Sequence, residues 1–131
     1  VICGGYNPTG WVNLGEARGS IAAFLFLLRT SAGHDCRIKL NKIGGAGLAQ
    51  MDDGGGPKFG PEGLTIPLEK ANRALVRSKL GLYYENLPDG GRSLFGKGVS
   101  IDEIDSFKVY TGVWPEGERI PYSGALFFQV N

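Results

Sequence analysis

Residues 91–98, GRSLFGKG, place two glycines and a lysine at nearly the spacing of a phosphate-binding loop. In such a loop the backbone N–H groups of a Gly-rich turn point at the phosphates. The lysine adds charge, and a Ser or Thr hydroxyl holds magnesium. Gly98 stands where that hydroxyl belongs. The setting is also wrong. A turn signal, Pro88-Asp89-Gly90, precedes the glycines, and residues 99–105 carry three acids without the length of a helix. The segment reads as a surface turn. Residues 45–50, GAGLAQ, begin like a dinucleotide fingerprint, but Gln50 replaces the third glycine and the chain lacks βαβ alternation.

Other reactive residue types are sparse. His34 is the sole histidine, so a pair of histidine metal ligands is impossible. Beside Asp35 in a turn, it has no nucleophile placed near it by sequence, and a solvated turn is the expected setting. Asp52-Asp53 and Asp102-Glu103 with Asp105 are acidic clusters, but neither has the ladder spacing or central glycine of a calcium loop. Trp11, Trp114, Tyr6, Tyr83 and Tyr84 have the chemistry of a sugar-binding platform. Aromatics in β-rich chains are more often core or cross-strand partners. No catalytic residue, cofactor site or metal site is expected.

The elements that would position these residues are short. Residues 21–28, IAAFLFLL, are apolar without a polar face, which predicts a central strand covered on both faces. Residues 37–43, RIKLNKI, alternate in strict period two, and with the preceding run predict an antiparallel hairpin through Gly33. Gly, Asp and Pro dominate 44–61. A short strand is expected at 64–67, and further strands at 80–84, 107–110 and 125–130. In 69–77, Ala71, Ala74 and Leu75 fall at i, i+3 and i+4, the spacing of a short amphipathic helix or an ordered loop. Leu87-Pro88-Asp89-Gly90-Gly91 is a turn signal.

Composition bounds the class. The 131 residues suffice for one domain with a core, and 42% of them are hydrophobic. Twenty-two glycines without a G-X-Y period fit many tight turns between short strands. A formal charge of +1 spread along the chain leaves no basic stripe, so nucleic acid is not an expected partner. The longest apolar run has eight residues, against about 20 for a spanning helix, so no transmembrane segment is expected. Cys3 and Cys36 have no metal-ligand spacing and read as two small buried thiols in a reducing compartment, in preference to one bridge. An intracellular location is expected, cytosolic or organellar. The chain opens at Val1, and a piece of a longer protein is expected.

The expected fold is mainly β, a two-sheet antiparallel β-sandwich with long Gly/Pro-rich loops and at most one or two short helices. The series of short motifs resembles the TLDc domain family. Cys3-Gly4-Gly5-Tyr6 followed by Trp11 is similar to that family's Gly-Gly-Tyr…Trp element, and residues 23–28, AFLFLL, to the strand after it. Gly56-Pro57-Lys58-Phe59-Gly60 and then Gly63-Leu64-Thr65-Ile66 resemble its Gly-Pro-x-Phe-Gly…Leu-x-Ile segment. Residues 101–110, IDEIDSFKVY, resemble its closing strand. Order and spacing agree over roughly the first 110 residues. The family's N-terminal part would precede Val1, Lys108 stands where an acid is usual, and 113–131 run past the usual end. The expected organisation is a TLDc-like body at 1–112 and a C-terminal extension at 113–131 that packs on it or on a partner.

The matched motifs read as structural. Gly56, Pro57, Phe59 and Gly60 form a loop that Phe59 anchors against the sheets. Trp114, Tyr122, Phe127 and Phe128 supply aromatic anchors for an interface. The resemblance implies a non-enzymatic protein–protein interaction domain, with roles in oxidative-stress resistance and in binding the vacuolar-type proton ATPase. The other readings are an accessory subunit of a large organellar or membrane-associated complex, and a carbohydrate-binding β-sandwich.

Overall fold

The fold was analysed in a computed structural model, which describes residues 1–8, 16–18, 22–43, 50–52, 56–60, 62–67, 75–99, 101–103, 106–108 and 116. Nine strands are described: β1 (Ile2–Tyr6), β2 (Glu16–Arg18), β3 (Phe24–Arg29), β4 (Asp35–Asn41), β5 (Gln50–Asp52), β6 (Lys58–Phe59), β7 (Leu64–Thr65), β8 (Leu75–Arg77) and β9 (Ile101–Glu103). They form two sheets, one in the order β1-β3-β4 and one in the order β2-β5-β6-β7-β8-β9, with every pairing antiparallel. No helix occurs among the described residues. The fold is mainly β.

The β3–β4 hairpin follows from the run of apolar residues meeting the period-two segment. Leu25 faces Leu40 and Leu27 faces Ile38 across the pair, so one face of both strands is apolar. The turn closes where Gly33 takes a left-handed φ of +84° and donates its N–H to the Thr30 carbonyl at 3.0 Å. An Arg29–Asp35 ion pair at 2.8 Å spans its base, exposed on both sides and so worth at most about 1 kcal/mol.

β3 is central in its sheet, but it is not covered equally on both faces. Leu25 and Leu27 are buried, whereas Phe24 and Phe26 are half-buried and Leu28 is exposed. The outer face is instead screened by its own side chains. Tyr6 and Phe24 lie 5.2 Å apart between ring centroids, and the Lys39 ammonium sits 4.4 Å above the Phe24 ring.

Three further expectations are corrected. The helical spacing across 69–77 does not yield a helix at its end, because Leu75–Arg77 is a strand that pairs with β9 in the register Val76↔Asp102. Ala71 and Ala74 lie outside the described residues. From Val76 to Leu80 burial alternates strictly, with 76, 78 and 80 inside, the period-two pattern of an extended segment. Residues 80–84 form no strand beyond a single bridge from Tyr84 to Lys42. Gly81, at a φ of +98°, turns the chain there, and its N–H donates to the Tyr84 carbonyl at 2.8 Å. Of the strand expected at 107–110, residues 107 and 108 have no ladder partner and 109 and 110 lie outside the described residues; β9 is the last strand among the described residues. The strand expected at 125–130 lies outside the described residues.

The buried side chains form one cluster drawn from both sheets. Leu25, Leu27 and Leu40 come from the first, and Phe59, Leu64 and Val76 from the second. Leu80, Tyr84, Leu94 and Phe95 complete it from the irregular segment between β8 and β9. Such a segment brings backbone polar groups inside, and they must be paired. Ser78 does much of this. Its hydroxyl donates to the Gly63 carbonyl at 2.8 Å and accepts the Leu94 N–H at 3.1 Å, both bonds buried. Flanking it, the Lys79 N–H donates to the Glu62 carbonyl at 2.8 Å and the Leu80 N–H to the Arg92 carbonyl at 2.7 Å. Residues 78–80 thus tie the turn before β7 to the segment that precedes β9.

Replacing Ser78 with alanine leaves a buried carbonyl and a buried N–H without this partner. The expected loss is about 2–4 kcal/mol of unfolding free energy, read from the urea midpoint at unchanged m-value. A loss below about 0.5 kcal/mol would show that the hydroxyl is dispensable.

Candidate functional site

The two sheets part along one side, between β1 and β9, the terminal strands of their respective sheets. The opening is a groove of about 680 Å³. Its floor is apolar and closed, formed by Leu64 of β7, Val76 of β8 and Phe95, all buried. Its margin includes Ile2, at 46% exposure, and Phe107, at 43%. Arg29 and Asp102 supply its charged side chains. Local sequence explains the floor. Val76 is an inward position of the alternating stretch, and Leu64 faces Phe59 across the β6–β7 pair.

Cys3 also lines the groove. Burial in this apolar setting pushes its thiol from the ordinary 9.0 up to about 11; the Asp102 carboxylate adds to the rise and the terminal ammonium opposes it. The thiol is therefore protonated at neutral pH, the opposite of what a nucleophilic cysteine requires. Cys36, on β4, donates its thiol to the Leu27 carbonyl at 3.5 Å. Both thiols are free. Their strands flank β3, two inter-strand spacings apart, which is about 10 Å and beyond the reach of a disulfide.

The residues singled out by sequence fall in several places. Gly56, Pro57, Phe59 and Gly60 come together around β6. Phe59 is buried at 3% exposure, with its ring against the backbone of Gly5 in β1. The Pro57 carbonyl accepts the Ile66 N–H at 2.9 Å, and Gly60, with a φ of +66°, begins the turn into β7. Trp114, Tyr122, Phe127 and Phe128 lie outside the described residues, as does Trp11. His34 is exposed in the β3–β4 turn. Of the acidic clusters, Asp52 lies in β5 and Asp102 and Glu103 in β9, while Asp53 and Asp105 fall outside the described residues. Among the described residues no group of three His, Cys, Asp or Glu side chains could hold a metal ion.

The sugar platform does not assemble from the described tyrosines. Tyr84 is fully buried, and burial raises its phenol well above the ordinary value. Tyr83 is packed against the core cluster, and Tyr6 is stacked on Phe24.

The segment 91–98 is not the surface turn that its glycines announce. Ser93, Leu94 and Phe95 are buried, whereas Arg92, Lys97 and Gly98 are exposed. Gly96 has no room for a side chain, since a Cβ there would stand 2.6 Å from the Ser31 hydroxyl of the β3–β4 turn. A strand, β9, follows the segment, so no helix N-terminus faces it. Sequence reasoning missed Ser78 and the groove floor. The alternation across 76–80 was the available signal for Ser78; nothing in the local pattern marked Phe95 as inward.

No protein-family model, curated protein or solved structure matches the chain. No helix among the described residues is long and apolar enough to cross a membrane.

The raised Cys3 pKa fixes a pH dependence. The folded state holds the thiol proton up to about pH 11, whereas the unfolded chain releases it near 9, so stability falls as pH rises between these values and is unaffected by Cys3 below them. Melting temperatures measured from pH 7 to 11 should decline from about pH 9. Cys3→Ala should remove part of that decline, with Tyr84 accounting for a further part at higher pH. A melting temperature that starts to fall near pH 6 would contradict a buried, neutral thiol.

Proposed function

We propose that this chain is a non-enzymatic protein–protein interaction domain, and that the groove between β1 and β9 is its contact surface. One observation carries the reading. An apolar floor of buried Leu64, Val76 and Phe95 opens to a margin where Ile2 and Phe107 stand exposed. Large apolar side chains at the mouth of an apolar recess lose hydration when a partner covers them, and each fully buried one contributes about 1.5–3 kcal/mol.

The chemistry of the groove supports binding over catalysis. Its thiol is held protonated, and its floor is made of aliphatic and aromatic residues, with Arg29, Asp102 and Ser106 among the rest of the lining. The resemblance to TLDc extends the proposal to a class of partner, the vacuolar-type proton ATPase, and to oxidative-stress resistance. In that reading the residues around Phe59 have a structural part, and the contact with the partner is made elsewhere on the domain.

Affinity capture from cells of the native source, compared with an Ile2→Asp/Phe107→Asp variant, tests this. The wild-type chain should recover a stoichiometric protein partner, and the variant should lose at least about nine-tenths of it. Both positions are exposed, so melting should be unchanged. Recovery of the unaccompanied chain alone, or equal recovery by the variant, would overturn the assignment.

A further inference from the structure

We infer that Asp89–Gly90 is a latent site of spontaneous aspartate isomerisation, held inert by the closed hairpin at 87–91 and released when that hairpin opens. The inference is independent of the interaction reading above.

The residue pair supplies the reactivity. When glycine follows aspartate, its backbone nitrogen reaches the side-chain carboxyl with least obstruction, because glycine has no Cβ. The chain contains two such pairs, Asp53–Gly54 and Asp89–Gly90. The first lies outside the described residues. Both residues of the second are exposed, so water reaches them. In the reaction, the Gly90 nitrogen gives up its proton and bonds to Cγ of the Asp89 carboxylic acid. The acid's hydroxyl leaves with a proton as water, and a five-membered succinimide results. Water then adds to one of the two ring carbonyls. Cleavage of the bond between Gly90 N and Cγ restores aspartate. Cleavage of the bond between Gly90 N and the Asp89 main-chain carbonyl carbon leaves isoaspartate, with the chain routed through the former side chain. One water is lost and one gained, and nothing is oxidised or reduced.

The hairpin withholds both reacting groups. The Gly90 N–H donates to the Leu87 carbonyl at 2.8 Å, which holds the proton that must leave. Asp89 Oδ1 accepts the Gly91 N–H at 2.8 Å, which fixes the carboxyl on the next amide along. Attack needs the nitrogen and Cγ aligned at about 3–3.5 Å, so these two bonds must break first. The loop is also anchored at its base. The Leu87 N–H donates to the Gly91 carbonyl at 2.9 Å, and the Leu87 side chain packs against the core cluster. The adjoining Arg92 carbonyl accepts the Leu80 N–H at 2.7 Å. Pro88 restricts φ inside the loop and so lowers the entropy of the opened form. Isomerisation therefore proceeds through the opened fraction, at the free peptide's rate multiplied by that fraction. Isoaspartate adds one carbon to the main chain between 89 and 90, so the product no longer recloses on the same hydrogen bonds.

Incubation of the full chain at neutral pH, followed by tryptic mapping of fragment 80–92, tests the inference. Fragment 43–58 reports Asp53 separately. Isoaspartate at position 89 should form at least about tenfold more slowly in the folded chain than in a synthetic 80–92 peptide. That ratio corresponds to an opening free energy of about 1.4 kcal/mol or more. In denaturing urea the full chain should match the peptide. Pro88→Gly should speed the reaction at least about threefold in the folded chain and leave the peptide's rate unchanged. Equal rates in folded chain and peptide would overturn the protection, and absence of isoaspartate from the unfolded chain would overturn the site. An unchanged rate in folded Pro88→Gly would overturn release through the hairpin.

Discussion

The two sheets meet because a strand gives up its side chain to a ring. Phe59 of β6 lies against β1 at Gly5, where a Cβ would stand 2.4 Å from the phenyl Cζ. No real side chain tolerates that distance, so the approach exists only with glycine. Gly4, one residue earlier, faces the other side of the same strand, and the Phe26 ring covers it equally closely, 2.6 Å from where a Cβ would be. Two successive glycines thus seat two aromatic rings on opposite faces of β1. At Gly63 the same device lets Tyr84 approach, with its Cδ2 2.7 Å from an added Cβ. Burying a phenyl group contributes about 1.5–3 kcal/mol, so these close contacts are a substantial part of a marginal total.

This explains why the chain can be rich in glycine and still hold a core. The glycines at these positions are packing surfaces, distinct from the left-handed turn glycines at Gly33 and Gly81. It also explains the place of the irregular segment between β8 and β9. With Phe59 and Tyr84 drawn inward, residues 93–95 are buried beside them, where the Ser78 hydroxyl accepts the Leu94 N–H and the Ser93 hydroxyl accepts the Phe95 N–H. The same constraint shapes the groove. β1 is held close to β6 at Gly5, while Ile2 and Cys3 at its other end diverge enough to leave a recess over Leu64, Val76 and Phe95.

How much of this was legible in the sequence depends on the range of the interaction. The β3–β4 hairpin is local, and period-two alternation with a Gly33 turn revealed it. The turn at 87–91 was likewise readable, because Asp89 accepts the Gly91 N–H two residues on, at 2.8 Å. The mainly-β class followed from many short apolar runs punctuated by glycine. What sequence reading lost was non-local. Helical spacing that ends on Leu75 suggested a helix where Leu75–Arg77 instead join a ladder to β9 some 26 positions away. The GRSLFGKG segment looked like a surface turn because its burial depends on partners at Gly63 and Ser78, which no window around it contains. The groove was illegible for the same reason, being built from seven separate stretches of chain.

The joining of the two sheets depends on the ring of Phe59 occupying the space that Gly5 leaves. Chemical denaturation of Gly5→Ala, Phe59→Leu and the double variant measures it directly. Gly5→Ala alone should cost about 1–3 kcal/mol through overpacking, and Phe59→Leu alone should also destabilise. In the double variant the smaller leucine makes room for the new methyl, so the two losses should fall short of their sum by at least about 1 kcal/mol. Strictly additive losses, or a Gly5→Ala chain as stable as wild type, would contradict the close approach on which the joined sheets depend.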